Sequence, residues 1–264
     1  GKLLIQMFEK TSLRTRLSFS IAIKQLGGGE LTLRPDELHL SKGGESLVDT
    51  AKIISTFGNA FMLRTDSEKK LDILKKHMTI PVINGLSPEN HPTQILSDVF
   101  TIEEIKKKSI SKLQICWIGD SNNVLNSLIE ASVKFSFKLN IGCPKKYEPN
   151  KSLISWAKKN KGKIKIFNDS KKAASESDVV FTDKVISMND KVNKAKKLKD
   201  FKKFQVNLDV MKKSKNALFL HCLPRGPEVS DEVFLGKKSK VWQQALNRVH
   251  VQKSILLYCL EKLR

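Results

Sequence analysis

The sequence predicts an α/β protein made of two parallel-sheet halves with flanking helices. Three observations carry that prediction. Short apolar runs alternate with longer amphipathic segments along the 264 residues, and the same alternation begins again after about residue 105. One run, Ala217-Leu218-Phe219-Leu220, is apolar throughout. A strand apolar at every position is buried on both faces, as parallel strands between helical layers are.

The first half begins with a strand over residues 3–8 and a helix over 17–26, stopped by Gly27-Gly28-Gly29. A polar loop over 34–44 leads to a helix from Glu45 toward Phe57. Residues 60–64 read as a strand, 67–77 as a helix, and 80–85 as a strand. The turn Pro88-Glu89-Asn90-His91-Pro92 and a helix over 93–104 close this half. In the second half, residues 113–118, 138–142, 163–167, 178–182 and 217–220 read as strands. Helices are expected over 123–135, 152–160, 171–176 and 207–213, and the lysine-rich segment 189–204 is partly helical. The last helix, residues 241–263, sets Val249, Val251, Ile255, Leu256, Cys259 and Leu260 near one face. No internal repeat or low-complexity linker stands out.

The composition excludes several functions. No apolar run is long enough to span a membrane, and no secretory signal opens the chain. Cys116, Cys143, Cys222 and Cys259 lie far apart without a Cys-x-x-Cys pair, so thiols in a reducing cytoplasm are expected. Five scattered histidines give no metal signature, and no metal is expected. The net charge of +21 comes mostly from lysine runs without interleaved aromatics. That pattern is a solvated surface rather than a specific nucleic-acid face. Such a field would still speed capture of a phosphate dianion. Gly119-Asp120-Ser121-Asn122-Asn123 stands where a dinucleotide fold places its glycine-rich turn, but lacks the three glycines, so no nicotinamide or flavin cofactor is expected.

Two segments carry chemistry. Between the first strand and helix, Thr11 to Ser18 holds Thr11, Ser12, Thr15 and Ser18 together with Arg14 and Arg16. A helix start offers unpaired N–H groups and a positive dipole end, and arginine adds a planar charged fork for phosphate oxygens. The plainer reading is a capped helix with solvated arginines. The second segment, His221-Cys222-Leu223-Pro224-Arg225-Gly226, follows the apolar strand at the kind of strand end where α/β sheets bind ligands.

Taken together, Ser12-Leu13-Arg14-Thr15-Arg16, His91-Pro92-Thr93-Gln94 and His221-Cys222-Leu223-Pro224 resemble, in order and spacing, the motifs of the transcarbamoylase family, its ornithine-using branch above all. The resemblance runs from Gly1 to about Leu263. It implies a first domain over residues 1–105 that binds carbamoyl phosphate and lacks the family's N-terminal helix. An ornithine-binding domain would follow over 106–240, and the helix over 241–264 would return to pack on the first domain. The expected reaction moves the carbamoyl group of carbamoyl phosphate to the δ-amine of L-ornithine, giving L-citrulline and phosphate, without cofactor or metal. A cytoplasmic homotrimer is the family expectation.

The resemblance also implies roles. Ser12, Leu13, Arg14 and Thr15 would hold the phosphate, Leu13 through its backbone N–H because it stands where the family has Thr. Arg64, at the end of an apolar strand, would contact phosphate and carbonyl oxygen, with His91 and Arg248 also at that oxygen. Gln94 and the Leu223 carbonyl would read the carbamoyl amide. Asn123, Asp183, Ser187 and Met188 would hold ornithine. Cys222, which is Pro in the aspartate-using relatives, would orient the δ-amine rather than attack covalently. Without the resemblance, Arg64 marks a strand end, His91 is structural and Asp183 caps a turn. Asn189 replaces the family's Gly after Ser-Met, Lys184-Val185 replaces Val-Trp, and the loop 38–45 is longer, with His39 nearest to a missing Gln. Two alternatives stay open: another amine acceptor such as putrescine or a modified ornithine, and a non-catalytic basic paralogue acting as a binding or regulatory protein.

Overall fold

The computed structural model describes residues 1–34, 44–186 and 193–261. The chain forms two compact units, one of Gly1–Ser97 with Ala245–Arg264 and one of Asp98–Gln244. Among the described residues no helix is long and apolar enough to cross a membrane.

The first unit contains β1 (Leu3–Phe8), α1 (Leu13–Gln25), β2 (Gly29–Leu33), α2 (Leu47–Phe57), β3 (Ala60–Arg64), α3 (Glu68–His77) and β4 (Val82–Leu86). Helix α4 (Pro92–Lys106) begins in it. The sheet is parallel in the order β2-β1-β3-β4. Period-two alternation divides its core into two layers. Leu4, Ala60, Met62 and Ile83 face Phe19, Ala22 and Ile23 of α1, whereas Ile5, Met7, Phe61 and Leu63 face Ala51 and Ile54 of α2 and Leu74 of α3. Helices α2 and α3 begin at Ser46 and Ser67, whose side chains accept from the N–H groups of Asp49 and Lys70.

The second unit contains β5 (Gln114–Ile118), α5 (Asn123–Lys134), β6 (Lys138–Gly142), α6 (Lys151–Lys159), β7 (Lys163–Phe167), α7 (Ser170–Ala174) and β8 (Val179–Thr182). After it come α8 (Lys194–Phe201), α9 (Leu208–Met211), β9 (Leu218–His221) and α10 (Asp231–Phe234). Its parallel sheet has the order β7-β6-β5-β8-β9. Lys163 and Lys165 alternate along the edge strand β7, where charge discourages pairing with another chain. The final helix, α11 (Val241–Glu261), starts in this unit and ends in the first. There Leu256 is fully buried against Leu4, Phe19 and Ile83, with Ile255, Cys259 and Leu260 beside it.

The sequence reading places a helix stop at Gly27-Gly28-Gly29 and a polar loop from residue 34, with no element between them, where the structure has β2. Among the described residues β2 is an edge strand that pairs only with β1, and it is half exposed and lacks an apolar run. Strand β9 also extends through His221, which is therefore a sheet residue rather than the first of a loop.

Candidate active site

Each sheet has one place where consecutive connections leave in opposite directions. Crevices open there beyond the carboxyl ends of the strands. In the first unit that place lies between β1 and β3. Register pairs Phe8 with Arg64, so the turn after β1 and the Arg64 side chain share one edge. Ser12 is the extended N-cap of α1, with φ −154° and ψ 114°, and its side chain makes no capping bond. No acidic residue occupies the first turn either, so neither offsets the positive helix end.

Arg248 of α11 is 2% exposed. Its Nη1 donates to Gln94 Oε1 at 2.5 Å and its Nη2 to Thr15 Oγ1 at 2.9 Å. The Thr15 hydroxyl thus supports an arginine, which leaves its backbone N–H in the first helical turn as the group suited to an anion. His91 is buried beside these cations. Burial first, then the charges of Arg248, Arg64 and Arg14, hold its pKa well below the ordinary 6.5. The result is a neutral imidazole among three guanidinium groups, electrostatically suited to a multiply charged anion. Leu13 is largely exposed at the start of α1.

In the second unit the crevice lies between β5 and β8. Gly119 follows β5 with φ +153°, and a Cβ there would meet the Thr182 hydroxyl at 3.3 Å. Asn122 then does two things. Its Oδ1 caps α5 by accepting from Val124 and Leu125 N–H at 3.0 and 3.1 Å, and its amide donates to Asp183 Oδ2 at 2.7 Å. The Cys222 thiol donates to the other oxygen, Oδ1, at 2.8 Å. Asp183 therefore presents an oriented carboxylate, a natural acceptor for a substrate ammonium. Asn123 is the first residue of α5.

The Cys222 turn is fixed from beneath. Leu223 N–H donates to His221 Nδ1 at 2.9 Å, so Nε2 carries the proton given to Glu228 at 3.0 Å. Burial pushes the Glu228 carboxyl up, but bonds from His221 and the Gly226 N–H outweigh it and leave its pKa lowered. Leu223 has φ +59°, an uncommon conformation for a branched side chain, and a cis peptide bond joins it to Pro224. Ligating atoms of Asp183, His221 and Cys222 lie within 4.8 Å of one another. Both imidazole nitrogens and the thiol proton are already committed to hydrogen bonds, so the trio reads as a protein network rather than a metal ligand set.

The structure thus gathers Ser12, Arg14, Thr15, Arg64, His91, Gln94 and Arg248 in one unit, and Asn123, Asp183, Cys222 and Leu223 in the other. Ser187, Met188, Asn189 and the loop residues 38–43 lie outside the described residues. Sequence reasoning quoted Asn122 and His221 within motifs but gave them no role, and it missed Glu228. Asn122 was findable as the polar residue just before a helical run, whereas no linear pattern links His221 to Glu228.

One α/β unit thus carries a cation-lined cradle suited to an anion, and the other an oriented carboxylate, amide and thiol suited to an amine. The family model described as aspartate/ornithine carbamoyltransferase, carbamoyl-P binding domain, matches residues 1–104, and the one described as Asp/Orn binding domain matches 111–259. The chain is 42% identical over 263 residues to an ornithine carbamoyltransferase of Agrobacterium fabrum, covering 98% of this chain and 85% of the relative. Identity to that of Methanocorpusculum labreanum is 43% over 260 residues, with 97% and 85% covered. Among solved structures, ornithine carbamoyltransferase from Pyrococcus furiosus superposes with a TM-score of 0.92 at 40% identity, covering 99% of this chain and 85% of that one. The anabolic enzyme from Campylobacter jejuni gives 0.91 at 36%, with 100% and 88% covered. The chain belongs to the aspartate/ornithine carbamoyltransferase family.

Proposed function

We propose that the chain transfers the carbamoyl group of carbamoyl phosphate to the δ-amine of L-ornithine, giving L-citrulline and phosphate. The observation that carries this reading is the Asp183 carboxylate gripped by Cys222 and Asn122, a site for an amino-acid ammonium in the unit that does not bind phosphate. Ser12, Arg14, Arg64 and the N–H groups of Leu13 and Thr15 hold the phosphate and neutralise it as it leaves. His91, neutral, donates to the carbonyl oxygen together with Arg248, stabilising the negative charge that builds there. Gln94 and the Leu223 carbonyl orient the carbamoyl amide.

Asp183 takes the α-ammonium, while Asn123, Ser187 and Met188 hold the rest of the amino acid. The neutral δ-amine attacks the carbonyl carbon directly, the C–O bond to phosphate breaks, and the amine proton leaves with the phosphate. Cys222 orients that amine while its thiol keeps its proton and donates it in a hydrogen bond to Asp183, so no covalent carbamoyl-thiol forms. We further propose a cytoplasmic homotrimer, supported by apolar side chains exposed on α1 (Leu17, Ile21) and α2 (Ile53, Phe57); light scattering giving a monomer mass would overturn the trimer.

The test is citrulline formation with L-ornithine, putrescine and L-aspartate as parallel acceptors. Ornithine is expected to be used, and a preference for putrescine would redirect the assignment. Arg64→Ala is expected to fold and to lose transfer; near-normal turnover in that variant would contradict its role at the phosphate.

A further inference from the structure

Lys197 is a lysine only 3% exposed, an unusual burial for this residue type. Its Nζ lies 2.6 Å from Asp120 Oδ2, and both side chains are largely withdrawn from water. A pair so buried is weak grounds for stability, since apolar replacements of such pairs are often neutral. Its surroundings point to another use. Asp120 lies in the turn between β5 and α5, and its carbonyl accepts from Trp117 Nε1 at 3.2 Å. The next residue, Ser121, donates its hydroxyl to the Tyr147 carbonyl at 2.6 Å.

The Tyr147 ring lies 5.8 Å from the Lys197 ammonium and packs on Phe201 of α8 at 4.8 Å between centroids. Its hydroxyl donates to Asp200 of the same helix at 2.9 Å. Helix α8 and Tyr147 thus grip the turn at Asp120 and Ser121. The following residue, Asn122, holds Asp183.

We propose that Lys197 is a positioning residue for the amino-acid substrate. Its ion pair with Asp120 sets the turn of residues 119–123 so that the Asn122 amide meets Asp183, and Asp183 in turn meets the substrate ammonium. This rests on the reading that the unit binds ornithine. The role is geometric, because Lys197 hands its effect through Asp120 and Asn122 rather than to the substrate.

The experiment compares Lys197→Met, Lys197→Arg and the double variant Lys197→Met/Asp120→Asn, which strands no buried charge. Steady-state kinetics give the KM for each substrate, and calorimetry gives the affinity for L-norvaline, ornithine's skeleton without the δ-amine. The double variant is expected to fold, to raise the ornithine KM and to weaken norvaline binding, each about ten- to hundredfold, the scale seen when the supporting partners of metal ligands are removed. The KM for carbamoyl phosphate is expected to stay unchanged, and Lys197→Arg to restore most of the ornithine affinity. Unaltered amino-acid affinity in the folded double variant, or an equal rise in both KM values, overturns the proposal while wild-type citrulline formation leaves the function standing. Wild-type protein that neither forms citrulline nor binds norvaline overturns both.

Discussion

At His91 the folded chain resists a proton that the unfolded chain accepts near pH 6.5, because burial and three arginines disfavour the imidazolium. Above pH 6.5 both states are neutral there and the residue imposes no penalty. As pH falls through 6.5 the unfolded state protonates first, so stability declines toward the lower folded pKa by up to about 1.4 kcal/mol per pH unit. Urea unfolding at pH 7.5, 6.5 and 5.5 is expected to show that decline, shallower by about one proton in His91→Asn; parallel curves would show that His91 already titrates normally. Thr15 presents a second residue-scale dependence. Thr15→Val removes the acceptor for a buried Arg248 donor, with an expected loss of about 1–3 kcal/mol and a lower kcat. Roles such as these were legible for residues inside contiguous motifs. They were hidden where the partner lay far along the chain, as Arg248 does from Thr15.

Among the elements, strands buried on both faces were plain in the sequence because every position is apolar, as in Ala60–Leu63 and Leu218–Leu220. The half-exposed β2 was not, since its burial comes from β1 rather than from its own pattern. Asn122 shows why a site can be partly unreadable. Its cap is a local signal, while its bond to Asp183 depends on the order of strands in the sheet. Asn122→Ala is expected to cost about 1 kcal/mol through the lost cap of α5. It should also raise the ornithine KM without changing that for carbamoyl phosphate, and initial rates at saturating levels of each substrate would check this. Leu256→Ala in α11 is expected to cost about 2–5 kcal/mol by opening a cavity against Phe19 and Leu4, measured by thermal or urea unfolding.

For the molecule as a whole, the excess of 48 lysines and arginines over 27 acids gives a field that draws anions in from solution. Raising ionic strength is therefore expected to raise the KM for carbamoyl phosphate more than that for ornithine, whose net charge differs in sign; equal responses would leave the field without a role in capture. Composition announced this charge, yet only the fold tells which cations are buried and which merely solvate the surface. Arg14, Arg64 and Arg248 bring three positive charges to bear on an uncharged His91. Such a cradle has an appetite of its own. Any small dianion that settles there relieves mutual repulsion in the native state and finds nothing comparable in the unfolded chain. The melting temperature then becomes a gauge of phosphate concentration, climbing with its logarithm once the site is half filled, while chloride at equal ionic strength barely moves it.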